Sequence, residues 1–125
     1  MNEARFEKLV KESVLELPER IRQKMENVAL CVEKNPTAEQ LRKLGTRSKG
    51  ILLGLYEGVP KTTYGRGFGM ILPDKITIFQ GSIEQFAGNP EEIRKLARNV
   101  VWHEIAHHFG FDEKQIRDLE KKKRK

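Results

Sequence analysis

The chain has 125 residues and a mass of 14.5 kDa, with 38% hydrophobic and 34% charged residues. That is the size of one domain around one core, and it is too apolar for a disordered chain. A single cysteine, Cys31, excludes an internal disulfide framework and points to a reducing, cytoplasmic compartment. No apolar run nears the ~20 residues of a membrane helix, and residues 1–5 lack the basic-then-apolar layout of a secretion leader, so no membrane partner is expected.

The formal charge of +6 is local. The run from Lys121 to Lys125 holds five of the 24 basic residues, which leaves 19 against 18 acidic ones. Residues 1–120 are therefore expected to form a nearly neutral domain, and residues 121–125 a solvated basic tail. A lone terminal run without interleaved aromatics does not make a nucleic-acid face, so nucleic acid is not an expected partner.

In chain order, Phe6, Leu9, Val10, Val14 and Leu17 recur at helical spacing and predict an amphipathic helix over residues 3–16, broken at Pro18. A short helix follows over residues 19–26. The apolar run at 28–32, around Cys31, predicts a buried strand. Thr37 with Gln40 three residues on has the pattern of a capping box and opens a helix that ends near Gly45. Residues 51–56 predict a second strand, with Gly54 inside it. The stretch 57–69 carries Gly58, Pro60, Gly65, Gly67 and Gly69 and predicts a loop. Two further strands, 68–72 and 76–79, are expected to form a hairpin across a turn at Pro73 and Asp74. Strand 76–79 is the expected exposed edge. Ser82 is expected to cap a short helix to Phe86. Asn89 or Pro90 opens a long helix to about Phe109, with Ile93, Leu96, Ala97, Val100 and Val101 inward and Gly110 as its stop. A last helix carries Ile116 and Leu119. This order predicts an α+β fold, a small sheet with helices against it.

All three histidines, His103, His107 and His108, fall within six residues. His103-Glu104-Ile105-Ala106-His107 has the HExxH pattern. Residues four apart share a helix face, so both imidazoles can reach one metal ion, and Glu104 can reach a water beside that ion without being a ligand. Gly110 can turn the chain sharply through a left-handed conformation and return a following residue toward the metal. Glu113, ten residues after His103, is the expected third ligand, and Asp112 is its competitor one residue out of register. Two histidines and one carboxylate leave a four-coordinate Zn2+ with an open position for water. His108 lies off the ligand face and is read as a helix-end residue facing the negative end of the dipole. Trp102 and Phe109 are read as packing residues, and Cys31 as a small core residue.

With these residues in view, the chain resembles the minimal zincin-like family of small bacterial zinc metallopeptidases, which are matrix-metalloproteinase-like. Besides the motif, residues 27–30 (Asn-Val-Ala-Leu), 52–60 (Leu-Leu-Gly-Leu-Tyr-Glu-Gly-Val-Pro) and 72–79 (Leu-Pro-Asp-Lys-Ile-Thr-Ile-Phe) resemble its strands. The resemblance implies a compact single-domain zincin-like fold, a small mixed sheet against helices, with the motif on the long active-site helix. It also implies one Zn2+ per chain, held by His103 and His107, with Glu104 as general base. The family usually has aspartate at the third-ligand position, where this chain has Glu113. Met1, Met25 and Met70 all precede the motif, so the likeness to the larger metzincins, with their methionine turn, stops at the motif.

The expected function is zinc-dependent hydrolysis of peptide bonds in a peptide or protein substrate, which would add as a strand to the exposed sheet edge. The alternative is a non-catalytic, zinc-stabilised interaction module.

Overall fold

The computed structural model describes residues 1–44, 52–58 and 73–110. The expected strand at 68–72, the last helix with Ile116 and Leu119, the third-ligand candidates Glu113 and Asp112, and the tail 121–125 lie outside the described residues.

The first helix, α1 (Glu3–Leu15), starts at Asn2, whose side chain accepts the Arg5 N–H at 2.8 Å. Phe6 and Val10, one turn apart, are fully buried, and the buried Ser13 hydroxyl is satisfied by the Val10 carbonyl at 2.6 Å. Pro18 separates α1 from α2 (Glu19–Lys24), which buries Ile21. Strand β1 (Val28–Glu33) follows. Helix α3 (Ala38–Leu44) opens on the expected capping box: Thr37 N–H donates to the Gln40 side chain at 2.9 Å, and Gln40 N–H to the Thr37 hydroxyl at 3.0 Å. Next come β2 (Gly54–Glu57), β3 (Asp74–Phe79), α4 (Gln80–Glu84) and α5 (Pro90–His108).

The sheet has the order β1-β3-β2, with β1 parallel and β2 antiparallel to β3. Residues 76–79 are therefore not an edge, because β3 is the central strand of the described sheet. Its near-continuous burial, with Ile76, Thr77, Ile78 and Phe79 all at 0% exposure, is the pattern of a strand covered on both faces. The antiparallel partner of β3 among the described residues is β2. Asp74 is not a turn residue either: it is buried and opens β3, paired with Val28 across the sheet. Ser82 does not cap α4 but lies inside it, buried, and the helix follows directly from β3.

Helix α5 contacts β2, β3, α1, α2 and α4. Ile93, Ala97, Val101, Ile105, Trp102 and Ala106 are buried along it, and Leu96 and Val100 pack partly buried at the margin. Its start is defined by Pro90 in the first turn, by Asn89 accepting the Glu92 N–H at 2.9 Å, and by Glu91 and Glu92 at the positive end of the dipole. Asn89→Ala is expected to remove about 1 kcal/mol of stability, measurable by urea unfolding. The helix stops where expected, at Gly110, whose φ is +81°. Among the described residues no helix is long and apolar enough to cross a membrane.

Candidate functional site

The last two turns of α5 carry the motif. Trp102, Ile105 and Ala106 face the core, which turns His103 and His107 to solvent. The two imidazole centres lie 6.3 Å apart on one helix face, with their planes tilted by 35°. His103 Nδ1 lies 2.8 Å from the Asn99 carbonyl one turn earlier. A nitrogen beside a carbonyl oxygen carries the proton, so Nε2 keeps its lone pair and points that imidazole's free donor away from the helix backbone. In that tautomer Nε2 is the nitrogen left for a metal ion. The described donors thus supply two of the three protein ligands of a two-histidine, one-carboxylate centre. Among the described residues no three His, Cys, Asp or Glu side chains form a metal-holding group.

Glu104 is half-buried beside this pair. Desolvation lifts its carboxyl above the ordinary carboxylate range, and His107, a hydrogen bond from the Tyr56 N–H and His103 offset part of that rise. A carboxylate raised in this way is a better proton acceptor than an exposed one. The structure therefore brings together three of the four predicted site residues, His103, Glu104 and His107.

Sequence reasoning missed the group next to them. Tyr56 of β2 donates its hydroxyl to Asp74 Oδ2 of β3 at 2.6 Å. His108 is more than a residue facing the helix dipole: its ring stacks on Tyr56 at 3.7 Å between centres and 19° between planes, and its Nε2 lies 3.9 Å from the same Asp74 oxygen. Burial and the adjacent Asp74 carboxylate push the Tyr56 hydroxyl well above its usual range, so it stays protonated and donates. Phe109 sits edge-on to both Tyr56 and His108, at 6.4 and 5.1 Å, with Lys24 Nζ 5.7 Å from its ring centre. Trp102 is a packing residue as expected, and Cys31 is half-buried in β1. No spacing rule links Tyr56, Asp74 and His108, because strand register and the seating of α5 bring them together.

A comparison with curated proteins finds no match. The model of the zincin-like metallopeptidase family matches residues 25–123, which take in the three described strands, the whole of α5 and the acidic residues after it in sequence. With most of the chain matched, and a mixed sheet braced against a helix that presents two exposed imidazoles and a carboxylate, the chain belongs to the zincin-like metallopeptidase family.

Proposed function

We propose that the chain is a zinc-dependent peptidase in which His103, His107 and Glu113 hold one zinc ion and Glu104 is the general base. The observation that carries this reading is the exposed His103–His107 pair on one face of α5, with the half-buried Glu104 carboxylate beside it. Zinc, when bound, supplies Lewis acidity that polarises a peptide carbonyl and acidifies water. Glu104 takes the proton from the attacking water and delivers it to the leaving amine. Asn99 fixes the His103 ring through its carbonyl, so that ring spends no freedom on being oriented.

Strand β2 supplies the substrate's seat. Phe79 N–H donates to Leu53 C=O at 3.0 Å, and the register pairs Leu55 with Thr77. Ladder bonds alternate along an antiparallel pair, so Gly54 and Tyr56 turn their N–H and C=O groups away from β3. Glu104 of α5 lies near the Tyr56 backbone. An extended peptide laid along this side would pass the proposed base, as strand addition requires.

The test is cleavage of an unstructured protein by the purified, zinc-loaded chain, with and without chelator. Cleavage that stops on chelation and returns with zinc is the expected result. Zinc uptake without turnover on any peptide library would replace the peptidase with a zinc-stabilised interaction module.

A further inference from the structure

Helix α5 ends on residues that the core does not hold. Ala106 is its last buried residue, and His107, His108 and Phe109 are exposed. The final turn of a helix also carries unpaired carbonyls and frays readily, and here a glycine at φ +81° follows it. A tertiary contact compensates. The His108 ring stacks on Tyr56 of β2, at 3.7 Å between centres and 19° between planes, and Phe109 closes on both rings edge-on. Tyr56 is itself fixed. Its cross-strand partner is Ile76, so Asp74 is its diagonal neighbour on the same sheet face, and its hydroxyl donates to Asp74 Oδ2 at 2.6 Å. His108 Nε2 lies 3.9 Å from that oxygen, which closes the contacts between β2, β3 and the end of α5. His107 therefore stands between two anchored neighbours, Ala106 in the core and His108 on Tyr56.

We propose that Tyr56 and His108 are positioning residues of the metal centre: their stack ties the last turn of α5 to the sheet and so sets the backbone that carries His107 before any metal arrives. This rests on the reading of His107 as a zinc ligand. The two imidazoles of the pair have different needs. His103 sits inside the helix, and its ring is oriented by the Asn99 carbonyl at 2.8 Å. His107 sits in the last turn, where the tie to β2 opposes fraying. A site whose second ligand is ordered by the fold binds at full strength, whereas a frayed end lowers the apparent affinity by the fraction of chains in which it is ordered. Asp74 holds the Tyr56 ring in the plane that receives His108. Neither Tyr56 nor His108 is a ligand, and neither takes part in proton transfer.

The test compares His108→Ala with His108→Phe in the full-length chain. Alanine removes the stack and is the better helix former, so on helix propensity alone it would firm the last turn. Phenylalanine keeps an aromatic face for Tyr56 and has no nitrogen to bind a metal. The readouts are amide hydrogen exchange without metal, and zinc affinity by competition with a chromogenic chelator. The Phe109 amide, which donates to the Ile105 carbonyl at 2.9 Å, reports the last turn, and the Val101 amide reports the middle of the helix. In His108→Ala the Phe109 amide is expected to exchange about tenfold faster with Val101 unchanged, and zinc to bind about threefold more weakly. His108→Phe is expected to match the parent in both. Added zinc should protect the Phe109 amide more in the alanine variant than in the parent, because there the metal must order the turn. Tyr56→Leu removes the stack from the strand side and should reproduce the alanine variant; parent-like exchange there would overturn the proposal. Unchanged exchange at Phe109 in His108→Ala would overturn it too, as would quicker exchange with unaltered zinc affinity. Zinc weakened alike in both His108 variants would make His108 a ligand and would equally overturn it. If the parent takes up no zinc, the reading of the metal centre falls, and exchange at Phe109 still decides whether the stack holds the helix end.

Discussion

Glu104→Gln is expected to lower kcat by about 10² to 10⁴ while leaving one zinc ion bound per chain. Glutamine has the same length and nearly the same volume, so the site keeps its shape. It cannot take a proton. The direction of the Glu104 shift matters here. The carboxyl is raised chiefly by loss of water around it, so proton uptake is easier than for a surface glutamate. An amide pays no such desolvation cost, so the variant should also unfold no more readily than the parent. Single-turnover hydrolysis together with metal analysis separates the outcomes. Loss of zinc along with activity would make Glu104 part of the metal's support, and hydrolysis at the parent's rate would remove it from the proton pathway.

Gly54→Val is expected to cost about 3 kcal/mol of unfolding free energy, at the upper end for overpacking a tight contact. A Cβ placed on Gly54 would lie 2.5 Å from Val100 Cγ1 of α5, 3.2 Å from Ile78 Cδ1 and 3.3 Å from the Thr77 carbonyl. Val100 cannot swing freely, because a β-branched side chain in a helix has one strongly preferred rotamer. The cost therefore falls on the spacing between β2 and α5. Urea unfolding of Gly54→Val, alone and combined with Val100→Ala, gives the check. The pair should be closer to the stability of Val100→Ala than the two separate losses would add up to, since removing the Val100 methyls relieves the shortest contact. Strict additivity would show that the close approach is not what Gly54 serves.

Much of this arrangement was legible in the residues, for physical reasons that differ from element to element. Helix α5 was readable end to end because its cap, its first-turn proline and carboxylates, its inward periodicity and its stop at Gly110 all agree. The histidine pair was readable because helical geometry alone places residues four apart on one face. Strand β3 is legible as a strand in the sequence, but its central place in the sheet is not. Its two faces are both buried, and a short apolar run carries no mark that tells a central strand from an edge. Asp74 follows Pro73, and aspartate after proline is common in turns, so the sequence alone reads it as a turn residue. Its burial is made tolerable by the Tyr56 hydroxyl, a partner that lies 18 residues away in sequence. His108 lies off the ligand face of the helix, and nothing in its spacing shows that its ring meets Tyr56 on the neighbouring strand. Contacts made by register and by the seating of a helix have no local signature, and the Tyr56 cluster is made wholly of such contacts.

The most direct test of the proposed zinc centre is X-ray absorption at the zinc edge of the fully loaded chain. Two imidazole shells at ~2.0–2.1 Å with the other positions filled by oxygen are expected, with one imidazole lost in His103→Ala and an oxygen donor altered in Glu113→Ala. A sulfur shell from Cys31, fewer than two imidazoles in the parent, or no uptake of zinc would contradict a centre built on His103, His107 and Glu113.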